Sequence, residues 1–269
     1  MLAKYKVLIA GITAFLVAIA GFFLLRPEKP ERPAQVAQLH GKRNIMVLGV
    51  DRRSGDTGRS DTLFVTMLDT SRNQAALLSV PRDTLVPIPG HGWDKVNHAY
   101  AYGGQELSRK TLENFLGIQI NNYVLVDFQG FIKLVDAIGG VDIDVEEPMQ
   151  YTDPYDGENG LVINPQPGRQ HMDGTTAIQY VRYRDEEGDI GRVARQQKFM
   201  KAVFARLRSA SLLSRAPEIA RTLYQSIETD LSVTDLASLL VTFAKNVSGT
   251  SQLETAMVQG SPAYLDDIS

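Results

Sequence analysis

The chain contains no cysteine. Disulfides, thiolate metal sites and a cysteine nucleophile are therefore excluded. No HExxH, GxSxG or GxxxxGK[ST] stretch occurs in the 269 residues, so the common zinc-peptidase, serine-hydrolase and P-loop signatures are missing. Histidine is scarce: His40, His91, His98 and His171 are scattered without metal-ligand spacing and are read as ordinary residues. A positive excess is missing as well. The net charge of -3 argues against a nucleic-acid partner, so any recognition of anions must be local.

One long hydrophobic run is present. Residues 7–25, VLIAGITAFLVAIAGFFLL, carry no charge and a single hydroxyl, Thr13. Nineteen residues at about 1.5 Å each nearly cross a hydrocarbon core of about 30 Å. The run exceeds the roughly 7–15 apolar residues of a signal peptide, and no A-x-A site follows it. It is read as an uncleaved membrane anchor, with residues 1–6 on one side. Lys4 and Lys6 precede it and Arg26, Lys29 and Arg32 follow, so charge alone does not orient it. Residues 26–43 hold three prolines and almost no large apolar residue, as in a semi-extended stalk. One large globular domain is expected over 44–269.

Within that domain NIMVLGV (44–50), TLFVTMLD (62–69) and AALLSVPR (75–82) read as strands, the last two joined by a hairpin turn at TSRNQ. ELSRKTLENFLG (106–117) reads as a helix capped by Gly117. NYVLVD is a strand, FQGFIKLVDAIGG a helix and VDIDVEE a strand. From Pro148 to Gly168 the composition predicts a long loop. A short helix starts near Asp173, a longer one spans 191–208, and Ser232 is the candidate N-cap of a helix over 232–246. QLETAMVQ is a last strand. Strands and helices in irregular order predict a layered α/β or α+β domain.

Charge is concentrated in YVRYRDEEGDIGRVARQQ, which holds Arg182, Arg184, Arg192 and Arg195. On a helix, Arg192, Arg195, Gln196 and Phe199 share one face beside an apolar stripe. Arg182 and Arg184 point the same way if the backbone there is extended. Several guanidinium forks so placed suit a phosphate; equally, Asp185, Glu186, Glu187 and Asp189 could neutralise them in a solvated network. Asp51 follows the first strand and Asp61 opens the second, across a glycine-rich loop. Two carboxylates so placed could hold Mg²⁺ with substrate phosphates, or be a turn cap and a solvated charge. Arg82, after the third strand, is either a loop charge or a further contact on the same anion. Acid and arginine without a strong nucleophile favour phosphoryl transfer.

VLGVDRR, GRSDTLFVTMLD, LLSVPRDTLVPIPG, DKVNHAYAYGG, NYVLVDFQGFIKLVDAIGGVDIDV and YVRYRDEEGDIGRVARQQKF occur in this order over about 44–205. Together they resemble the LytR-CpsA-Psr family of bacterial cell-envelope proteins. The resemblance implies a three-layer α-β-α sandwich with a central mixed, largely antiparallel sheet, lying outside the cytoplasmic membrane, with residues 1–6 on the cytoplasmic side. It also implies transfer of a glycopolymer (teichoic acid, capsule or arabinogalactan-like) from a polyprenyl diphosphate carrier to peptidoglycan. The product is a phosphodiester, commonly at the 6-hydroxyl of a muramic acid residue, and polyprenyl phosphate leaves. Carried over residue by residue, Asp51 and Asp61 are the acidic pair at Mg²⁺ (or Mn²⁺), with either a possible general base. Arg82, Arg182, Arg184, Arg192 and Arg195 are the diphosphate clamp, with Gln196 beside it. Asp51, Asp61, Arg82, Arg184 and Arg192 are the expected catalytic set. The lipid enters an apolar channel between sheet and helices, to which 106–117 and 128–138 are expected to contribute. A regulatory polyprenyl-diphosphate-binding protein and a diphosphatase remain alternatives.

Overall fold

The computed structural model describes residues 42–51, 59–69, 74–154, 160–184, 189–209, 212, 214–246 and 253–260. The anchor at 7–25, all but the last two stalk residues, most of the TSRNQ turn and the DEEG spacer lie outside the described residues. Among the described residues no helix is long and apolar enough to cross a membrane.

Strands β1 (Lys42–Asp51), β2 (Arg59–Asp69) and β3 (Gln74–Ser79) form an antiparallel meander. β6 (Asn122–Val126) adds to β1 in parallel, and β12 (Glu254–Met257) adds to β3 in parallel. With the short β11 (Glu228–Thr229) antiparallel to β6, the order is β11-β6-β1-β2-β3-β12. Three of the five pairings are antiparallel, as expected for a mixed sheet.

Strand alternation divides the side chains between two faces. On one face Met46, Leu48, Leu63 and Val65 pack with Ala99, Tyr100 and Leu112 of helix α1 (His98–Leu116). The hairpin of β4 (Leu85–Ile88) and β5 (Gly92–Lys95) closes this layer through Val86 and Ile88. The other face is covered by helices α2 (Phe128–Ala137), α3 (Gly174–Arg182), α4 (Asp189–Leu207), α5 (Ala216–Ser226) and α6 (Val233–Asn246). The domain therefore has the expected three layers. Helix α2 crosses α5 closely at Gly130, where an added Cβ would meet Ser226 O at 2.2 Å.

Local chemistry accounts for the helix ends. The Asp127 carboxylate accepts from Gly130 N at the start of α2, and the Asp173 carboxylate from Thr176 N at the start of α3. Ser232 and Asp235 cap α6 reciprocally: Asp235 N donates to Ser232 Oγ, and Ser232 N donates to the Asp235 carboxylate. Gly117 ends α1 with φ 66°, a left-handed backbone that favours glycine.

Several elements differ from the sequence expectation. Helix α1 begins at His98, because its first turns bury Ala99 and Tyr100 although Gly103 and Gly104 break the helical geometry. The Pro148–Gly168 stretch is not a plain loop. It contains a hairpin of β8 (Tyr151–Asp153) and β9 (Leu161–Ile163), whose strands are too short to show a period. VDIDVEE does form a strand, β7 (Val141–Val145), but it pairs with β10 (Gly168–Met172) apart from the central sheet. Arg182 is the last helical residue of α3, so the extended backbone assumed for Arg182 and Arg184 begins only at Tyr183.

Candidate functional site

A cavity of about 520 Å³ lies between the sheet and the larger helical layer, within the range of small-molecule sites. It has a polar and an apolar end, which three elements define independently. Along α4 the lining residues run Arg192, Gln196, Phe199, Met200, Val203, Leu207, from charged to aliphatic over four turns. Along β1 the lining passes from Val47 to Asp51, and along β2 from Thr66 back to Asp61. The polar ends coincide, because β1 and β2 are antiparallel and Arg192 Nη2 donates to Asp61 O at 3.4 Å. Of the lining residues Arg184 and Tyr151 are exposed, whereas Val126, Phe199 and Val203 are buried.

A β-bulge places the two carboxylates. Gly49 pairs with Thr62 but Val50 pairs with Ser60, so Asp61 is the extra residue. A bulge re-aims the side chains beside it. Asp61 and Thr62, consecutive in sequence, thus line the same cavity, together with Asp51 from the partner strand. Asp61 Oδ1 accepts from Arg82 Nη1 at 2.7 Å. Arg82 Nε in turn lies 3.5 Å from Asp83 Oδ2. Arg82 is therefore brought to the site through Asp61, and is not itself among the residues lining the cavity.

The four arginines of YVRYRDEEGDIGRVARQQ divide. Arg182, Arg184 and Arg192 all line the cavity. Arg182 Cζ lies 4.2 Å from the centroid of Phe128, a cation–π contact across α3 and α2. Arg195 does not line it; 8% exposed, it donates to Tyr183 O at 2.9 Å and lies over the Tyr183 ring. That contact ties α4 to the segment carrying Arg184. Gln196 lines the cavity and donates from Nε2 to Thr62 Oγ1 at 2.9 Å, which joins α4 to β2.

Magnesium takes hard oxygen donors and keeps several waters, so one or two carboxylates with substrate phosphates satisfy it. Asp51 and Asp61 fit that donor type at the polar end. Among the described residues no group of three or more His, Cys, Asp or Glu is gathered to form an all-protein metal cage. The 128–138 segment lines the cavity, as expected, through Phe131 and Leu134 of α2 and the following Ile138. The 106–117 segment does not, because α1 packs on the opposite face of the sheet. Leu223 of α5 and Leu240 of α6 contribute instead. Asp127, Phe128, Tyr151 and Asp153 were not singled out in the sequence, yet all four line the cavity. Asp127 directly follows a strand, the one local signal that marks it.

Residues 25–269 match the model of the LytR_cpsA_psr family. The chain belongs to this family. It is 35% identical over 244 residues to the polyisoprenyl-teichoic acid–peptidoglycan teichoic acid transferase TagU of Oceanobacillus iheyensis, covering 86% of this chain and 73% of TagU. It is 34% identical to TagV of Bacillus subtilis, which bears the same transferase name, covering 82% of this chain and 58% of TagV. The crystal structure of B. subtilis TagV superposes with a TM-score of 0.73 over 84% of this chain and 88% of that one, at 31% identity. A structure of TagT bound to LI-WTA superposes with a TM-score of 0.66 at 28% identity, over 82% of this chain and 80% of that one.

Proposed function

We propose that this chain transfers a polyprenyl-diphosphate-linked glycopolymer to peptidoglycan as a phosphodiester. The observation that carries this is the lengthwise order of the cavity: aliphatic at one end, arginine and carboxylate at the other. A polyprenyl diphosphate has the same order of chemistries along its length. The names of TagU and TagV, and the TagT structure with LI-WTA, support the donor and acceptor classes. The hydrophobic run 7–25 would hold the domain at the membrane that contains such a lipid.

In this mechanism an acceptor sugar hydroxyl attacks the phosphorus that bears the glycan. Its bond to the bridging oxygen breaks, and polyprenyl phosphate leaves with the electron pair. Asp51 or Asp61 takes the hydroxyl proton. Arg182, Arg184 and Arg192 neutralise charge on the phosphate oxygens, where a preorganised cation is worth more than in water. Arg82 holds the Asp61 carboxylate in place, and Arg195 holds the Tyr183 backbone that leads to Arg184. Asp51 and Asp61 would hold Mg²⁺, which would supply further positive charge at the diphosphate.

The test is a transfer assay with the full-length chain in detergent, a polyprenyl-diphosphate-linked glycan and purified peptidoglycan. Glycan joined to peptidoglycan through a phosphodiester, with polyprenyl phosphate released only when acceptor is present, is the expected result. Release without acceptor would identify a diphosphatase. Binding without turnover would identify a regulatory lipid-binding protein.

A further inference from the structure

We propose that the inner face of the β8–β9 hairpin is a carbohydrate subsite, which receives the sugar attached to the diphosphate. This rests on the cavity being the polyprenyl-diphosphate site. Tyr151 and Asp153 are two residues apart on β8 and so project to the same face. Leu161, the register partner of Asp153, projects with them, and all three line the cavity. Val162, one residue along on β9, faces away and is 59% exposed. The hairpin therefore turns one chosen face toward the cavity.

Two features of that face match a sugar and not a phosphate. The Asp153 carboxylate would repel a diphosphate, but it accepts hydrogen bonds from hydroxyls. The Tyr151 ring is 49% exposed although it borders a cavity with aliphatic walls. A half-exposed ring presents a flat apolar surface without losing its polar tip to burial, and such a surface suits the C–H face of a pyranose. Position supports the chemistry. A ligand whose lipid lies among Phe199, Val203 and Leu207, and whose diphosphate lies at Arg182 and Arg192, leaves the cavity at its exposed end. Tyr151 and Arg184 are the two exposed residues of the lining, so the hairpin face borders the opening.

The experiment measures binding of two probes to the full-length chain in detergent: a bare polyprenyl diphosphate, and the same lipid carrying one N-acetylhexosamine. The unsubstituted protein is expected to prefer the sugar-bearing probe by about tenfold, the effect of about 1.4 kcal/mol of added contact. Tyr151→Ala is expected to erase most of that preference while leaving the Kd for the bare lipid within about twofold. Tyr151→Phe keeps the ring and should keep most of the preference; Asp153→Asn should reduce it in part. Equal affinity of the unsubstituted protein for both probes would overturn the subsite. So would Tyr151→Ala weakening both probes in step, because that marks a structural role. Loss confined to the KM of the acceptor in the transfer assay would also overturn it. If neither probe binds the unsubstituted protein, the polyprenyl-diphosphate reading of the cavity fails and the subsite falls with it.

Discussion

The two faces of the central sheet are made by the same strands and end in opposite ways. Leu48 and Val65 point into a closed layer beneath α1, where Leu48, Val65 and Leu112 are completely buried. Their neighbours Val47, Gly49, Thr62 and Thr66 point the other way and border an open cavity. Side-chain size separates them. The closed face carries Met46, Leu48 and Leu63 with Val50 and Val65, which fill the gap to one helix. Around the cavity β1 and β2 present Val47, Gly49, Thr62 and Thr66 beside the larger Phe64, and the small residues leave volume unfilled. The first face is closed by packing, whereas the second combines a larger core with the ligand cavity.

The largest test of this division is charge at the cavity's polar end. Arg184 is exposed, so its removal should leave folding intact. Arg184→Ala is expected to lower transfer by about 10³-fold, near the low end for a phosphoryl-transfer arginine, or about 4 kcal/mol of barrier. Transfer within about threefold of the unsubstituted rate, measured with saturating donor, would remove Arg184 from the clamp.

Truncations separate the faces next. Leu48→Ala on the closed face is expected to cost about 2–5 kcal/mol in denaturant unfolding, because it creates a new void. Val203→Ala only enlarges space that already exists, and is expected to cost about 1 kcal/mol or less. Equal losses would mean that the cavity face is as tightly packed as the other.

Insertion keeps the stability ranking and adds a loss of binding on the cavity face. Val65 and Thr66 are adjacent on β2 and face opposite layers. Val65→Phe overpacks the closed layer and is expected to cost about 1–3 kcal/mol. Thr66→Phe enters the cavity; stability should change by less than about 1 kcal/mol, while polyprenyl diphosphate binding weakens about tenfold. A Thr66→Phe protein that binds this lipid normally would show that the ligand does not reach β2.

The same division explains what the sequence reveals. The apolar runs of β1, β2 and β6 are near-continuous because both faces of these strands are covered, and their ends lead directly to Asp51, Asp61 and Asp127. Arg192 and Gln196 are legible because helical spacing sets them on one face with Phe199. Arg195 shares that spacing but turns to Tyr183, a distinction made by a tertiary contact that no period encodes. The Asp61 bulge is similarly invisible: one extra residue in a strand pair depends on the partner's register. Tyr151 and Asp153 sit on a three-residue strand, too short for any pattern, and only the folded hairpin brings them to the cavity.

The smallest effect concerns a polar cluster on the α1 side, away from the cavity. Asp94 accepts from Tyr102 Oη at 2.6 Å and lies 2.9 Å from His98 Nδ1, while Lys95 N donates to it at 2.7 Å. Burial works to raise the Asp94 carboxyl, but these hydrogen bonds outweigh it and hold its pKa below the usual carboxylate value. A depressed folded pKa stabilises above the unfolded value of about 3.9 and is lost as pH falls through the folded one. Asp94→Asn is therefore expected to cost about 1 kcal/mol near pH 7 and progressively less below about pH 4. Transfer activity at pH 7 should be unchanged, because none of Asp94, Lys95, His98 and Tyr102 lines the cavity. Thermal unfolding of both proteins from pH 7 to pH 3 gives the measurement. Curves that stay parallel throughout would show that Asp94 contributes no pH-dependent stability.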